Sequence, residues 1–273
     1  MSATDAIAVR EFHLSDAPAI EGVLLDAFGR PMSTSLPARL ATAHDWLVVE
    51  VDGVLAGVVS ARRYGSVAYI GMMAVHARAR RRGAGSGLLA ALVSRLESRG
   101  VATMLLDATD EGAPLYERFG FADVDRTHIY ELPNPISPQP NDAPDVDPAE
   151  LARAIVLDAD FYGCDRSELL AHLATEHYGF AATEADGYAL ARGPVIGPFA
   201  AHSDASARRL LERVRARRPA ISRAFAPASN PSAAALFESH GFERTRSLRH
   251  MGRGAPSPFR RSRIFSQASL GHG

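Results

Sequence analysis

A run of arginines and glycines lies between an apolar segment and an amphipathic one. Residues 80–82 are arginines, residues 83, 85 and 87 are glycines, and Ser86 lies among them. Glycine lets successive backbone N–H groups turn towards one ligand, and a helix starting near Ser86 would add unpaired N–H groups and its positive dipole end. Three guanidinium groups add full charges there, so the segment suits a pyrophosphate.

Two other phosphate-binding loops do not fit these residues. A P-loop needs a lysine, and the sequence has none. The dinucleotide fingerprint needs G-x-G-x-x-G on a first strand and an acidic residue about 20 positions later. Contact of residues 78–82 with RNA or with a nuclear import receptor is the third alternative. It is disfavoured because the net charge is −1 and no aromatic residues are interleaved.

Strands and helices predicted in the first half of the chain position this segment. An apolar run over 67–75 predicts a strand leading into it, and apolar periodicity predicts a helix over 86–99 leading out. Asp52-Gly53 predicts a two-residue hairpin turn. The other elements predicted here are strands over 6–14, 46–51, 54–62, 103–107 and 122–132 and helices over 17–28, 36–44 and 114–119.

The second half repeats this order, which indicates an internal duplication. Leu115-Tyr-Glu-Arg-Phe-Gly-Phe121 is matched by Leu236-Phe-Glu-Ser-His-Gly-Phe242, and Ile70-Gly71 by Ile196-Gly197. A proline-rich stretch over 133–148 predicts an extended connector between domains over 1–132 and 149–273. The elements predicted in this half are helices over 151–160, 166–176 and 206–217 and strands over 179–183, 187–192, 194–201 and 220–226.

Composition excludes several classes of protein. The 273 residues include one cysteine, which excludes a disulfide scaffold or a four-thiolate metal site. No apolar run approaches the ~20 residues that span a bilayer, and residues 1–10 lack the apolar core of a signal peptide. We therefore expect a cytoplasmic protein with no metal and no membrane or nucleic-acid partner.

Residues 80–85 match the Q/R-x-x-G-x-G/A signature of the GNAT superfamily of acetyl-CoA-dependent N-acetyltransferases. The first half also resembles that family in its order of elements, with Tyr116 and Gly120-Phe121 at the expected distance. Residues 187–193, 196–198 and 233–242 resemble the C-terminal domain of a bacterial group of tandem GNAT proteins. The resemblance implies an α/β (α+β) fold with two tandem GNAT-like domains, each a mixed, mostly antiparallel sheet flanked by helices.

The resemblance also implies acetyl-CoA as cosubstrate and assigns residues to it. Backbone amides of the signature hold the CoA pyrophosphate in this family, and the backbone of Met73 and Val75 would lie beside the pantetheine arm. The implied cofactor-binding residues are Met73, Ala74, Val75, Arg80, Arg81, Arg82, Gly83, Ala84, Gly85, Ser86 and Gly87. The alternative is a plain strand-to-helix turn with solvated arginines.

Tyr116 corresponds to the family tyrosine near the CoA sulfur, where it would act as general acid; a packed aromatic is the alternative. The identity of the general base is left open, because residues 69–75 contain no carboxylate. Asp107, His76 and a water relayed to a backbone carbonyl are the candidates, and Asp107 would equally well cap the following loop. The strand amide near Met73 would polarise the acetyl carbonyl. Acceptor-side candidates from strand position are Tyr64, Tyr69, His128 and Tyr130.

The second half lacks the glycines at the matching point, and Phe237 replaces the tyrosine, so we predict that it binds no CoA. Cys164 and His240 receive no functional role. Two function classes remain. One is an acetyltransferase acting on a primary amine of a small molecule or peptide, as monomer or homodimer. The other is a non-catalytic acyl-CoA-binding or regulatory protein. Tyr116 favours the first, because a sensor needs no proton donor.

Overall fold

The computed structural model of the protein describes residues 6–29, 36–137 and 143–273, which form two compact units. The first unit comprises the chain up to residue 106 together with 111–122 and 252–255. The second comprises 107–110, 123–251 and 256–273.

A mostly antiparallel sheet in the order β1–β2–β3–β4–β5 forms the centre of the first unit. Asp52 and Gly53 join β2 to β3 with φ angles of 54° and 76°, as the predicted two-residue turn requires. β5 runs parallel to β4. The strands are β1 (Ile7–Glu11), β2 (Asp45–Val51), β3 (Val54–Tyr64), β4 (Val67–Val75) and β5 (Thr103–Ala108).

Helices flank this sheet and bury their apolar faces against it. They are α1 (Ala17–Phe28), α2 (Leu36–Thr42), α3 (Ala84–Ser98) and α4 (Ala113–Glu117). In α3 the predicted apolar stripe is fully buried at Leu88, Leu89, Leu92 and Leu96, whereas Glu97 and Ser98 are exposed. Burial of each leucine contributes on the order of 2 kcal/mol, and this holds α3 against the sheet.

The second unit is built on a mixed sheet in the order β11–β6–β10–β9–β8–β7, with β12 paired to β9. Its core includes the fully buried Phe199, Leu210, Leu211 and Phe237. The strands are β6 (Ala122–Glu131), β7 (Phe180–Glu184), β8 (Gly187–Arg192), β9 (Val195–Ala201), β10 (Arg223–Pro227), β11 (Glu243–Gly254) and β12 (Ile264–Ser266). The helices are α5 (Pro148–Tyr162), α6 (Ser167–Thr175), α7 (Asp204–Arg217) and α8 (Pro231–Ser239).

The predicted fold class is confirmed, since both units are mixed sheets flanked by helices. The two compact units do not coincide with the predicted halves of the chain, because each unit contains a segment from the other half. Residues 123–131 of β6 belong to the second unit, where β6 pairs antiparallel with β10 from Glu131–Arg223 to Thr127–Pro227. Residues 252–255 belong to the first unit, where the Ala255 N–H donates to the Ala102 carbonyl at 2.8 Å. The domain boundaries of the duplication stay a prediction.

Some elements were not predicted from the sequence. β11 was not predicted because its core-facing positions do not alternate cleanly with polar ones. Its buried residues are Leu248, His250 and Met251. α5 begins at Pro148, capped by Asp147, three residues before its predicted start. Of the connector prolines, Pro138 and Pro140 lie outside the described residues. Within the described chain, none of the helices combines the length and apolarity that crossing a membrane requires.

Candidate functional site

The end of β4 lies beside an opening in the first unit's sheet. The register between β4 and β5 covers three pairs, Val67–Thr103, Ala68–Met104 and Tyr69–Leu105. Met72, with φ of 52°, follows these pairs and redirects β4. Met73 and Val75 are partly exposed, whereas Ala74 between them is buried. The strand therefore presents the backbone of residues 73–75 at a divergence from β5.

Backbone N–H groups converge at the start of α3. Arg81 and Gly83 have left-handed φ angles of 62° and 92°, the alternation that turns successive N–H groups to one side. Gly83 is the N-cap of α3 without a side-chain capping bond, and Gly87 N donates to Gly83 O at 2.9 Å. The N–H groups of Ala84, Gly85 and Ser86 thus precede the first intrahelical bond and have no acceptor within the helix. We call residues 80–87 the cradle.

At Gly85 the cradle lies against side chains of β4 and α4. A Cβ atom at Gly85 would lie 3.4 Å from Leu115 Cδ2, 3.6 Å from Met73 Cε and 3.7 Å from Val75 Cγ2. The cradle, the strand end and the helix that carries Tyr116 therefore meet at a single place.

The cradle arginines differ in their partners. Arg80 Nε donates to the Val75 carbonyl at 3.1 Å, and Arg82 pairs with Asp52 at 2.7 Å. Arg81 is exposed, and no ion pair is found for it among the described residues. Arg81 is thus the cradle arginine best placed to bind an external anion.

Sequence reasoning missed two residues near the cradle. Asp26 on α1 accepts the Ala77 N–H at 2.7 Å and lies 3.9 Å from Arg80, so it holds the turn that joins β4 to the cradle. Arg118 follows α4, is exposed and lies 3.5 Å from Ser86 Oγ. The sequence signal that could have identified Arg118 is its position inside the repeated Leu-Tyr-Glu-Arg-Phe-Gly-Phe segment. Asp26 had none, since its contact spans 51 residues of sequence.

Tyr116 lies on α4 next to Leu115, which faces the cradle. Its side chain is largely buried, with 8% exposed, and its ring packs edge-on against Phe121 with centroids 6.0 Å apart. Burial raises the pKa of the Tyr116 phenol well above its usual range. The phenol is therefore protonated at neutral pH.

Asp107, the predicted base, belongs to the second unit and its side chain is fully buried. Its carboxylate accepts hydrogen bonds from Thr127 Oγ1 at 2.7 Å and Gln267 Nε2 at 2.9 Å, and lies 3.0 Å from His250 Nδ1. Burial alone would raise its pKa, but His250, Arg261 and Thr127 outweigh that effect and hold the pKa at about 2. A carboxylate held in this way is a poor proton acceptor at neutral pH. This argues that Asp107 positions the side chains that donate to it, Thr127 and Gln267.

His76, the other predicted base, caps the turn after β4. Its Nδ1 accepts the Arg78 N–H at 3.3 Å and lies 3.8 Å from Asp26. One ring nitrogen of His76 is therefore engaged in holding the turn.

The predicted acceptor-side tyrosines are core residues. Tyr64, Tyr69 and Tyr130 are 3%, 0% and 1% exposed, so these three side chains lie in the core, and their acceptor role stays a prediction. His128 is partly buried, with Nδ1 3.1 Å from Ser247 Oγ. Burial raises the pKa of the Cys164 thiol to about 11, which keeps it protonated.

The corresponding region of the second unit differs in chemistry. α7 is capped by Ser203, whose side chain accepts the Ser206 N–H, and its first turn carries Asp204. Phe237 is fully buried against Phe242, with ring centroids 5.4 Å apart. In place of the glycine cradle, this region has the negative charge of Asp204 and a helix N-terminus capped by the Ser203 side chain. No cluster of three or more metal-ligating side chains is found among the described residues.

Comparisons with known proteins agree with this architecture. Family models match residues 10–121 as acetyltransferase (GNAT) family and residues 154–266 as acetyltransferase (GNAT) domain. A search of curated proteins finds no significant match.

Solved structures show the same fold at low sequence identity. A protein from Pyrococcus horikoshii that is assigned as an acetyltransferase superposes with a TM-score of 0.85 at 23% identity, covering 98% of this chain and 96% of its own. A GCN5-related N-acetyltransferase from Kribbella flavida gives 0.60 at 16% identity, covering 92% and 71%. Eis1 from Mycobacterium abscessus gives 0.54 at 16% identity, covering 91% and 73%. Since each half of the chain matches its own GNAT model and the fold agrees, the protein belongs to the GNAT acetyltransferase family as a tandem GNAT protein.

Proposed function

We propose that the first unit transfers an acetyl group from acetyl-CoA to a primary amine of a small molecule or peptide. The observation that carries this proposal is the meeting of three features at Gly85. These are the N–H groups of the cradle, the diverging end of β4, and the helix that carries the protonated Tyr116.

The chemistry of the cradle fits a CoA pyrophosphate. The N–H groups of residues 84–86 and the Arg81 guanidinium are donors for phosphate oxygens, and the α3 dipole favours negative charge at that point. Because Gly83 has a left-handed φ, the backbone is able to turn these N–H groups towards one phosphate. The exposed backbone edge of Met73 and Val75 would bind the pantetheine arm as a neighbouring strand would.

When bound, acetyl-CoA supplies an activated thioester. The protein's own contribution is then positioning and proton transfer. The Met73 amide would donate a hydrogen bond to the acetyl oxygen, and Tyr116 would hold a proton on its hydroxyl for the departing sulfur. Since Asp107 is already held by several donors, the amine proton would leave through water bound to a backbone carbonyl. Much of the rate enhancement would come from holding the amine and the thioester in contact.

The alternative is a protein that binds acyl-CoA without catalysis. One observation favours it: the carboxylate predicted as base, Asp107, is buried and already held by Thr127 and Gln267. Both functions use the cradle to bind acyl-CoA. They differ in whether the bound acyl group is transferred to an amine.

Titration calorimetry with acetyl-CoA tests the cofactor site. We expect binding to the wild-type protein and its loss in Gly85→Glu, which crowds the place where the cradle meets Leu115, Met73 and Val75 and adds a negative charge beside the cradle. Gly22→Glu is the matched control, because Gly22 is exposed on α1 and a Cβ atom there would have no neighbour within 4 Å. Absence of binding to the wild type would refute both functions. Binding without release of free CoA thiol across a panel of primary amines would favour the non-catalytic protein.

A further inference from the structure

The second unit contains its own strand divergence at the place where the first unit has its candidate cofactor gap. In the duplication Ile196-Gly197 aligns with Ile70-Gly71, so Phe199 and Ala200 correspond to Met73 and Ala74. The parallel register between β9 and β10 covers one pair, Val195–Arg223. Beyond that pair the two strands separate, as β4 and β5 do after Tyr69–Leu105.

This gap is filled by the chain's own β12. On one side β12 pairs antiparallel with β9, with Ile264 opposite Ala200 and Ser266 opposite Phe199. On the other side Ser266 Oγ accepts the Phe225 N–H of β10 at 2.8 Å, and Gln267 N donates to the Phe225 carbonyl at 2.9 Å. The strand therefore satisfies backbone groups on both walls of the gap.

Side chains on both walls accommodate β12. Phe265 stacks on Phe199 with ring centroids 5.1 Å apart, and Ile264 is fully buried. A Cβ atom at Gly197 would collide with the Gln267 carbonyl oxygen, so the missing side chain at this glycine makes room for the tail. Asn230 Nδ2, at the start of α8, donates to the Ile264 carbonyl at 2.9 Å.

The buried carboxylate of Asp107 anchors the same strand. Its Oδ2 accepts a hydrogen bond from Gln267 Nε2 at 2.9 Å, directly after β12. The remaining cavity beside β12 has a volume of about 270 Å³ and is lined by Asp204, Asn230, Ser232 and Arg263 among others. Its lining carries one acidic and one basic side chain, Asp204 and Arg263, so it has no net positive charge that would attract a phosphate.

We propose that β12 is an internal peptide ligand of the second unit: it occupies the gap that corresponds to the pantetheine gap of the first, so the chain binds one acyl-CoA. This inference rests on the proposed function for the identity of the first gap. Residues 264–267 replace the cofactor arm with backbone hydrogen bonds, and the second unit keeps a filled sheet without a cofactor.

Hydrogen–deuterium exchange combined with native mass spectrometry tests this proposal on the full chain. We expect slow exchange at residues 264–267 and at the Phe225 amide, unchanged by saturating acetyl-CoA, and one acetyl-CoA per chain. Ser266→Ala removes the acceptor of the Phe225 N–H and is expected to speed exchange there about fivefold, the effect of losing one hydrogen bond of ordinary strength. Ser262→Ala, on an exposed neighbour, is the control and is expected to change nothing.

Three results would overturn the proposal. They are rapid exchange at residues 264–267 in the wild type, loss of their protection when acetyl-CoA binds, and acetyl-CoA binding to Gly85→Glu with loss of protection in the second unit. The proposed function fails separately, through absence of any acetyl-CoA binding. Slow exchange at residues 264–267 would in that case still support β12 as the occupant of its gap.

Discussion

Tyr116 and Asp107 are both buried, yet they end in opposite protonation states. Burial raises the pKa of the Tyr116 phenol, and no charged neighbour among the described residues counteracts it. For Asp107 burial also disfavours the charge, but hydrogen bonds and the positive charge of Arg261 outweigh it, and the pKa is about 2. At neutral pH the Tyr116 phenol is therefore protonated, whereas the Asp107 carboxylate is an anion held by its hydrogen-bond partners.

At the residue scale, Tyr116→Phe tests proton donation. We expect kcat for amine acetylation to fall about 10²- to 10⁴-fold, the usual contribution of a general acid, with an unchanged dissociation constant for acetyl-CoA. Thiol release measures the first quantity and calorimetry the second. Tyr130→Phe, which removes a hydroxyl from a buried tyrosine of the second unit, is the control. An unchanged kcat in Tyr116→Phe would mean that the ring only packs against Phe121.

The lowered pKa of Asp107 predicts a pH-dependent stability. Because the folded-state pKa of about 2 lies below the ordinary value of 3.8, the carboxylate stabilises the fold above pH 3.8 and loses this effect as the pH falls through about 2. Asp107→Asn is expected to lower the free energy of unfolding by about 2 kcal/mol at pH 7, a difference that narrows below pH 3.8.

Urea denaturation at pH 7 and at acid pH measures this change. Asp123→Asn is the control, because Asp123 is half-exposed and its ion pair with Arg249 contributes roughly 0–1 kcal/mol. If Asp107→Asn instead keeps its stability and loses kcat, Asp107 is a catalytic base and the positioning role is wrong.

At the scale of the element, the cradle depends on backbone conformation more than on side chains. The left-handed φ angles of Arg81 and Gly83 orient the N–H groups, and Asp26 holds the turn that leads into them. The same run of charged residues without these left-handed φ angles would be a loop exposed to solvent. The candidate anion site is therefore a property of the strand–turn–helix unit.

Gly83→Ala tests this dependence. Alanine at a φ of 92° costs about 1–2 kcal/mol, and part of that strain is relieved if the loop shifts away from its binding geometry. We expect acetyl-CoA to bind about tenfold more weakly, as measured by calorimetry. Gly65→Ala is the matched control, since Gly65 also has a left-handed φ, of 61°, and lies in the β3–β4 turn. Equal weakening in both variants would mean that the loss is one of general stability.

At the scale of the whole molecule, neither half of the sequence contains one complete unit. Residues 123–131 lie in the second unit, and residues 252–255 lie in the first. Their contacts are specific: β6 pairs with β10 over five residues, Thr103 Oγ1 donates to the Ala255 carbonyl at 3.0 Å, and Arg253 pairs with Glu97 at 2.7 Å. Each half of the chain therefore supplies a segment to a unit built mainly by the other half.

Cleavage within the connector is expected to leave the two fragments associated. A protease cut in the described part of the connector, 133–137 or 143–147, breaks neither the β6–β10 pairing nor the contacts of residues 252–255. Size-exclusion chromatography of the nicked protein is expected to give one peak in buffer and two in urea. Separation in buffer would contradict the exchange of segments. Intact protein carried through the same steps is the control.

The sequence alone determined the local features of this protein. The cradle, its following helix and the Asp52-Gly53 turn are encoded by neighbouring residues, because glycine placement and apolar periodicity act over a few positions. The duplication is visible in short segments that recur in the two halves. The tertiary structure decided what distant residues do. It buried Tyr69, joined Asp26 to the cradle across 51 positions, surrounded Asp107 with His250 and Gln267, and placed β12 in the second gap. These roles depend on burial and on contacts between residues far apart in the chain, which local pattern does not contain.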